Sequence, residues 1–148
     1  MSELRVVRYG DDGFREAYGD AWSCADESMW RRYYTPDVVY VEGGTHTSYE
    51  GIDAAARFFR FMYRFAADSR IDFINLFGDN AGFGAEWVWT GIAQGPLLVD
   101  GVVYPPTNLP FSVDGAAVCK VNSDGLVTYH KDYYDVRALM AQLQLVQA

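Results

Sequence analysis

The sequence has little of what metal, disulfide or nucleotide chemistry requires. Its two histidines, His46 and His130, stand far apart and in no ligand-spaced motif, so no metal site is expected. Two cysteines, Cys24 and Cys119, make no disulfide framework, and free thiols in a cytoplasmic protein are the expectation. No GxGxxG precedes a helix, and there is no phosphate-binding GxxxxGK-Ser/Thr loop and no GxSxG elbow. Chemistry is therefore expected to run on carboxyls, hydroxyls and pocket shape, with no cofactor. Apolar runs are too short for a membrane span. The opening residues MSELRVVRYGDDG lack an apolar core, so no signal peptide is expected. Basic residues are in deficit, and the formal net charge of −8 argues against a partner that is nucleic acid or an anionic membrane.

What the chain has is aromatic rings: 11 Tyr, 9 Phe and 4 Trp. Two readings fit them. They form a heavily aromatic core, or some line a cavity for a flat, greasy ligand. The 148 residues suit a single domain, 1–148, with a core of its own.

Periodicity divides the chain in two. Phe14, Ala17, Tyr18, Ala21 and Trp22 mark one face of a helix over 11–24. Asp26 caps a second short helix carrying Met29, Trp30 and Tyr33, and Thr35-Pro36-Asp37 stops it. A strand follows over Val38–Glu42, then a polar loop from Gly43 to Ser48. Helical spacing returns over 52–66 with Ala55, Phe58, Phe59, Met62 and Phe65. The second half reads with period two. Strands are predicted over 71–77, 83–92, 111–121 and 126–134, with turns at Gly78-Asp79-Asn80 and Asn122-Ser123-Asp124-Gly125. Four of the five prolines crowd the stretch from Gly95 to Pro110, which reads as an irregular edge or a lid over a pocket mouth. A short helix over 136–146 ends the chain. The implied class is α+β: three helices, a curved antiparallel sheet wrapped around a long N-terminal helix, and a short C-terminal helix.

Tyr18 to Glu42 resembles the N-terminal part of ketosteroid isomerases, of the nuclear-transport-factor-2-like (NTF2-like) cone fold. The ending is most similar to the SnoaL-like polyketide cyclases: Asp124-Gly125-Leu126-Val127, then His130-Lys131-Asp132-Tyr133-Tyr134-Asp135, then Gln142-Leu143. It is also similar to limonene epoxide hydrolase. The resemblance spans about residues 12–145, and departs where such cyclases often end Gln-Leu-Gly and this chain has Gln142-Leu143-Gln144. It implies a cofactor-free cyclase of polyketide biosynthesis, acting on a hydrophobic small molecule, and a homodimer. By the cyclases, Asp132 is the general base. By the isomerases, Glu42 matches the base and Tyr18 the oxyanion donor. Their second oxyanion donor falls on Ala117, and its supporting tyrosine on Phe59, so that oxyanion site is incomplete. The Arg and Asp of the epoxide hydrolase fall on Trp87 and Trp89, which removes the charge that reaction needs and places both indoles on the pocket side.

The residues themselves leave alternatives. Strand alternation puts Thr128, His130, Asp132 and Tyr134 on one face. Taken alone, Asp132 is a surface or ion-paired carboxyl; in an apolar pocket, desolvation of its charged form would raise its pKa toward that of a working base. Glu42 shares a face with Tyr40. It is either an ordinary strand-end carboxylate or a second acid–base group across the cavity from Asp132. Tyr18 is either a core tyrosine or an enolate donor, and His130 either a rim residue or a partner in proton transfer. Trp22, Tyr40, Phe59, Met62, Trp87 and Trp89 are expected to face inward, with Ala117 and Cys119 as small residues that leave room. The same base could serve a double-bond isomerase or a dehydratase, and the same fold could serve a non-catalytic binding protein.

Overall fold

The structure, a computed structural model, describes residues 5–147. Two helices, α1 (Phe14–Ser23) and α2 (Glu27–Arg31), open the described chain. The Asp26 side chain accepts from the Ser28 and Met29 amides and so starts α2. Strands β1 (Tyr34–Glu42) and β2 (Thr47–Glu50) lead into α3 (Ile52–Phe65), at 14 residues longer than the 10 of α1. Next come β3 (Arg70–Asp79), β4 (Gly82–Ile92), β5 (Leu97–Val99), β6 (Val102–Tyr104), β7 (Pro110–Val121) and β8 (Val127–Tyr134). The last helix, α4 (Val136–Gln142), begins at an Asp135 cap and is shorter than its apolar pattern predicts.

Six strands form one sheet in the order β2-β1-β8-β7-β4-β3. The sheet is mixed where the sequence predicts an antiparallel one. β1 runs parallel to β8, pairing Tyr40 with His130 and Glu42 with Asp132, while its other neighbour pairs are antiparallel. Only a non-local pairing can do this, and period-two patterning does not encode it. Pro36 does not end a helix either. It lies within β1, where the β8 register shifts between Tyr34 and Val39, an irregularity that tolerates a residue with no N–H.

The proline-rich stretch is more ordered than expected. β5 and β6 pair as a hairpin whose turn is Asp100-Gly101, with φ of 51° and 80°. Two successive left-handed residues make the tight turn that matches strand twist, and Asp-Gly is its usual sequence.

The helices cover one face of the sheet. Gly19 lets α1 lie close on β3: a Cβ there would sit 3.1 Å from the Ile71 carbonyl. Ser23 Oγ stitches the same contact, donating to the Gly19 carbonyl and accepting from the Ile71 amide. Between the helices and the sheet an aromatic core closes around Tyr18, which stacks on Phe14 and Phe73. Trp30 stacks on Phe59. Burying each large side chain contributes about 1.5–3 kcal/mol, so this cluster carries much of the fold.

Candidate active site

Between α3, the sheet and the β5–β6 hairpin lies one cavity of about 350 Å³, within the range of small-molecule sites. Its walls are apolar: Met62 and Phe65 from α3, Phe73 from β3, Trp89 from β4, Leu97 from β5. Its exposed lining residues, among them Arg57, Leu98, Asp100 and Gly101, mark the mouth. Its polar pole is built by three strands: Tyr40 and Glu42 on β1, His130, Asp132 and Tyr134 on β8, and Trp87 on β4.

Three donors converge on the Asp132 carboxylate. Trp87 Nε1–H donates to Oδ1 at 3.0 Å, His130 Nε2–H donates to Oδ1 at 2.7 Å, and the Tyr40 hydroxyl donates to Oδ2. A carboxylate has about four acceptor positions, so lone-pair capacity remains for the cavity. Asp132 keeps 13% of its side chain exposed, and His130 behind it keeps 1%. The carboxyl therefore meets the cavity from a nest of donors rather than from a wholly apolar wall.

His130 is charged in this setting. Burial by itself pushes an imidazole down, but the Asp132 charge and hydrogen bond outweigh it and hold His130 up to about 10. With both nitrogens protonated, Nδ1–H donates to the Tyr18 hydroxyl at 2.8 Å, and Cys119 Sγ lies 3.3 Å from the same nitrogen. Tyr18 in turn donates to Tyr34 at 2.6 Å. Burial pushes Tyr18, Tyr34 and Tyr40 well above the ordinary phenol range, and for Tyr40 the Asp132 charge adds to it, so all three stay protonated at neutral pH.

Glu42 is engaged differently. It is 4% exposed, and its oxygens accept from the Gly44 and Thr45 amides, each at 3.0 Å, and from the Thr45 hydroxyl. Burial and the Glu42 charge push the neighbouring Tyr134 phenol well up. The turn it holds passes very close to β8. A Cβ on Gly43 would fall 2.0 Å from the Asp132 carbonyl, and one on Gly44 would strike the Tyr134 ring, so neither position accepts a side chain without the loop moving.

The structure brings Trp22, Tyr40, Glu42, Met62, Trp87, Trp89, His130 and Asp132 to one cavity. It places four expected residues elsewhere. Tyr18 lies behind His130 with its hydroxyl spent on His130 and Tyr34, so it does not face a substrate. Phe59 packs against Trp30 and Tyr63, because it points from α3 toward α2 and α1 instead of the cavity. Ala117 and Cys119 sit on β7 as the register partners of Asp132 and His130, and both are buried without lining the cavity. Glu42 is beside Asp132 on the neighbouring strand, not across the cavity. The mouth residues Arg57 and Asp100 went unnoticed in the sequence, although the Asp100-Gly101 turn signal was there to be read.

Residues 13–143 match the family model described as SnoaL-like polyketide cyclase. Among solved structures, TsrD from Streptomyces laurentii is 21% identical with a TM-score of 0.74, over 88% of this chain and 92% of that one. IdmH from Streptomyces antibioticus, provisionally named a polyketide cyclase, is 22% identical with a TM-score of 0.69, over 85% and 92%. A Catenulispora acidiphila protein with a ketosteroid isomerase-like fold, crystallised with trimethylamine, is 17% identical with a TM-score of 0.73, over 88% and 92%. No curated protein matches. At these identities the structural likeness shows a shared fold, the ketosteroid isomerase-like cone.

Proposed function

Because this chain belongs to the SnoaL-like polyketide cyclase family, we propose that it closes a ring on a polyketide-type substrate by carboxylate acid–base chemistry. One observation carries the reading: Asp132 is the carboxylate fixed by three donors that still opens onto an aromatic cavity. Glu42, by contrast, is spent on its own turn.

The scheme balances without a cofactor. Asp132 takes a proton from a carbon between two carbonyls, and the electron pair of that C–H bond moves onto a carbonyl oxygen. The enolate carbon then attacks a second carbonyl carbon of the same chain, forming the C–C bond and leaving an alkoxide. Asp132 returns the proton to that alkoxide. During the first step negative charge leaves the carboxylate for the enolate, while the Tyr40, Trp87 and His130 donors, each committed to Asp132, keep its oxygens in place. Walls of Phe73, Trp89 and Met62 hold one folded conformer, which supplies rate by removing rotational freedom beforehand.

A synthetic poly-β-keto thioester in deuterated buffer tests this. Wild-type protein should speed both α-deuterium uptake and formation of a cyclic product, and Asp132→Asn should slow both by about 10²–10⁴-fold. Unchanged rates in a folded Asp132→Asn protein would remove Asp132 as the base.

Assembly and location complete the proposal. Val118 and Tyr133 stand exposed on the sheet face turned away from the cavity, a surface suited to pairing two copies. Light scattering at the dimer mass would support that arrangement. Cys24 and Cys119 are free thiols, which fits a reducing cytoplasm. No helix among the described residues is long and apolar enough to cross a membrane.

A further inference from the structure

We propose that the cavity mouth carries an anion subsite built on Arg57, so that the substrate is a flat apolar molecule with a negatively charged group, such as a carboxylate, at its outer end. This rests on the reading above that the cavity holds the substrate.

Arg57 lies on α3 directly before Phe58, and both line the cavity together with Phe61 one turn further along. Two neighbouring arginines, on α2 and α3, are occupied. Arg60 is paired with Glu27, and Arg31 with Glu27 and Asp53. No ion pair joins Arg57 to a carboxylate among the described residues. A guanidinium at the edge of an apolar cavity, with no protein counter-charge, offers five donors to a ligand.

The rest of the cavity fixes which end of the ligand meets it. Glu42 and Asp132 make the inner pole anionic, and the one buried cation there, His130, is bound to Asp132. A carboxylate pushed inward would meet Glu42 and an Asp132 whose one cationic partner is already engaged, in a poorly solvated space. Neutral carbonyls suit that pole and an anion does not. At the mouth, Asp100 on the β5–β6 turn also lines the cavity and repels an anion. The charged end is thereby directed to the α3 side. Tyr49 on β2 also lines the cavity, its ring 5.6 Å from that of Phe58 on α3, and its hydroxyl offers a second donor on that side. The formal charge of −8 makes this selection sharper, because an anion is repelled by the protein as a whole and is held only where a local cation outweighs that field.

Two fluorescent probes of nearly the same shape separate charge from shape: anionic 8-anilino-1-naphthalenesulfonate and neutral N-phenyl-1-naphthylamine. Each should displace the other from the wild-type protein. Arg57→Gln should weaken the anionic probe by roughly three- to ten-fold and leave the neutral one unchanged. Arg57→Lys should keep most of the preference, and about 0.5 M salt should shrink it. The side chain is exposed, so neither substitution threatens the fold. An unchanged ratio of the two affinities in Arg57→Gln overturns the subsite while leaving the cavity intact. Failure of the wild type to bind the neutral probe overturns the cavity as a ligand site, and the subsite with it.

Discussion

Glu42 and Asp132 are register partners on neighbouring parallel strands, and both are carboxylates at the polar pole of one cavity. Their surroundings differ in kind. The closest donors to Glu42 lie two and three positions along its own turn, with the Tyr134 phenol of β8 beside it. The donors to Asp132 come from three side chains, two of them 45 and 92 residues away. Local amides turn a carboxylate into a clamp for a loop. Side chains gathered from several strands leave it oriented and open on one side. Both positions hold a carboxylate that lines the cavity, so the source of the hydrogen bonds is what sets them apart.

That contrast can be broken or sharpened by substitution. The largest effect belongs to Asp132→Asn, which should cost about 10²–10⁴ in ring closure with an unaltered circular dichroism spectrum. Next is His130. Replacing it with Gln leaves Asp132 without its buried counter-ion and should destabilise by about 3–5 kcal/mol in chemical denaturation. The same ion pair has a pH signature. The folded imidazole titrates at about 10, above the ~6.5 of an unfolded chain. The folded state keeps a proton that the unfolded state releases, so this contribution is complete below pH ~6.5 and lost as pH rises through about 10. The melting temperature should fall across that window, and His130→Gln should flatten the fall. Glu42→Gln should act on stability, by about 1–3 kcal/mol, because an amide NH₂ would face the amide donors of its turn. Its turnover should stay within about ten-fold of wild type, far above that of Asp132→Asn. Equal losses of turnover in the two variants would erase the distinction. Smallest is Tyr18→Phe, which removes the hydroxyl between His130 and Tyr34 and should cost about 1 kcal/mol by thermal melts.

Much of the frame was legible in the sequence. Helical spacing located α1 and α3, and alternation put His130, Asp132 and Tyr134 on the face that lines the cavity. Both signals are local and depend only on repeat geometry. What escaped was set by contacts between distant segments. Tyr18 and Phe59 face inward as their spacing demands, but spacing says nothing of which inward surface they meet. The parallel pairing of β1 with β8 put Glu42 next to Asp132 instead of opposite it. Two small features were readable and missed. Asp100-Gly101 is a hairpin signal hidden among prolines, and Gly43-Gly44 marks a backbone pressed against β8.

The β1–β8 pairing also sets when the site can exist. Tyr40 reaches Asp132 across 92 residues of chain, and the two strands meet only after β2 to β7 have been laid down between them. A chain growing from the ribosome carries the aromatic walls of α3 and β4 long before it carries the carboxylate nest. Contacts of such separation are late and slow to form. Any fragment ending before β8 has an unpaired β1 edge and an open greasy groove, which makes the last strand both the piece that completes the polar pole of the pocket and the cover that keeps unfinished chains from sticking to one another.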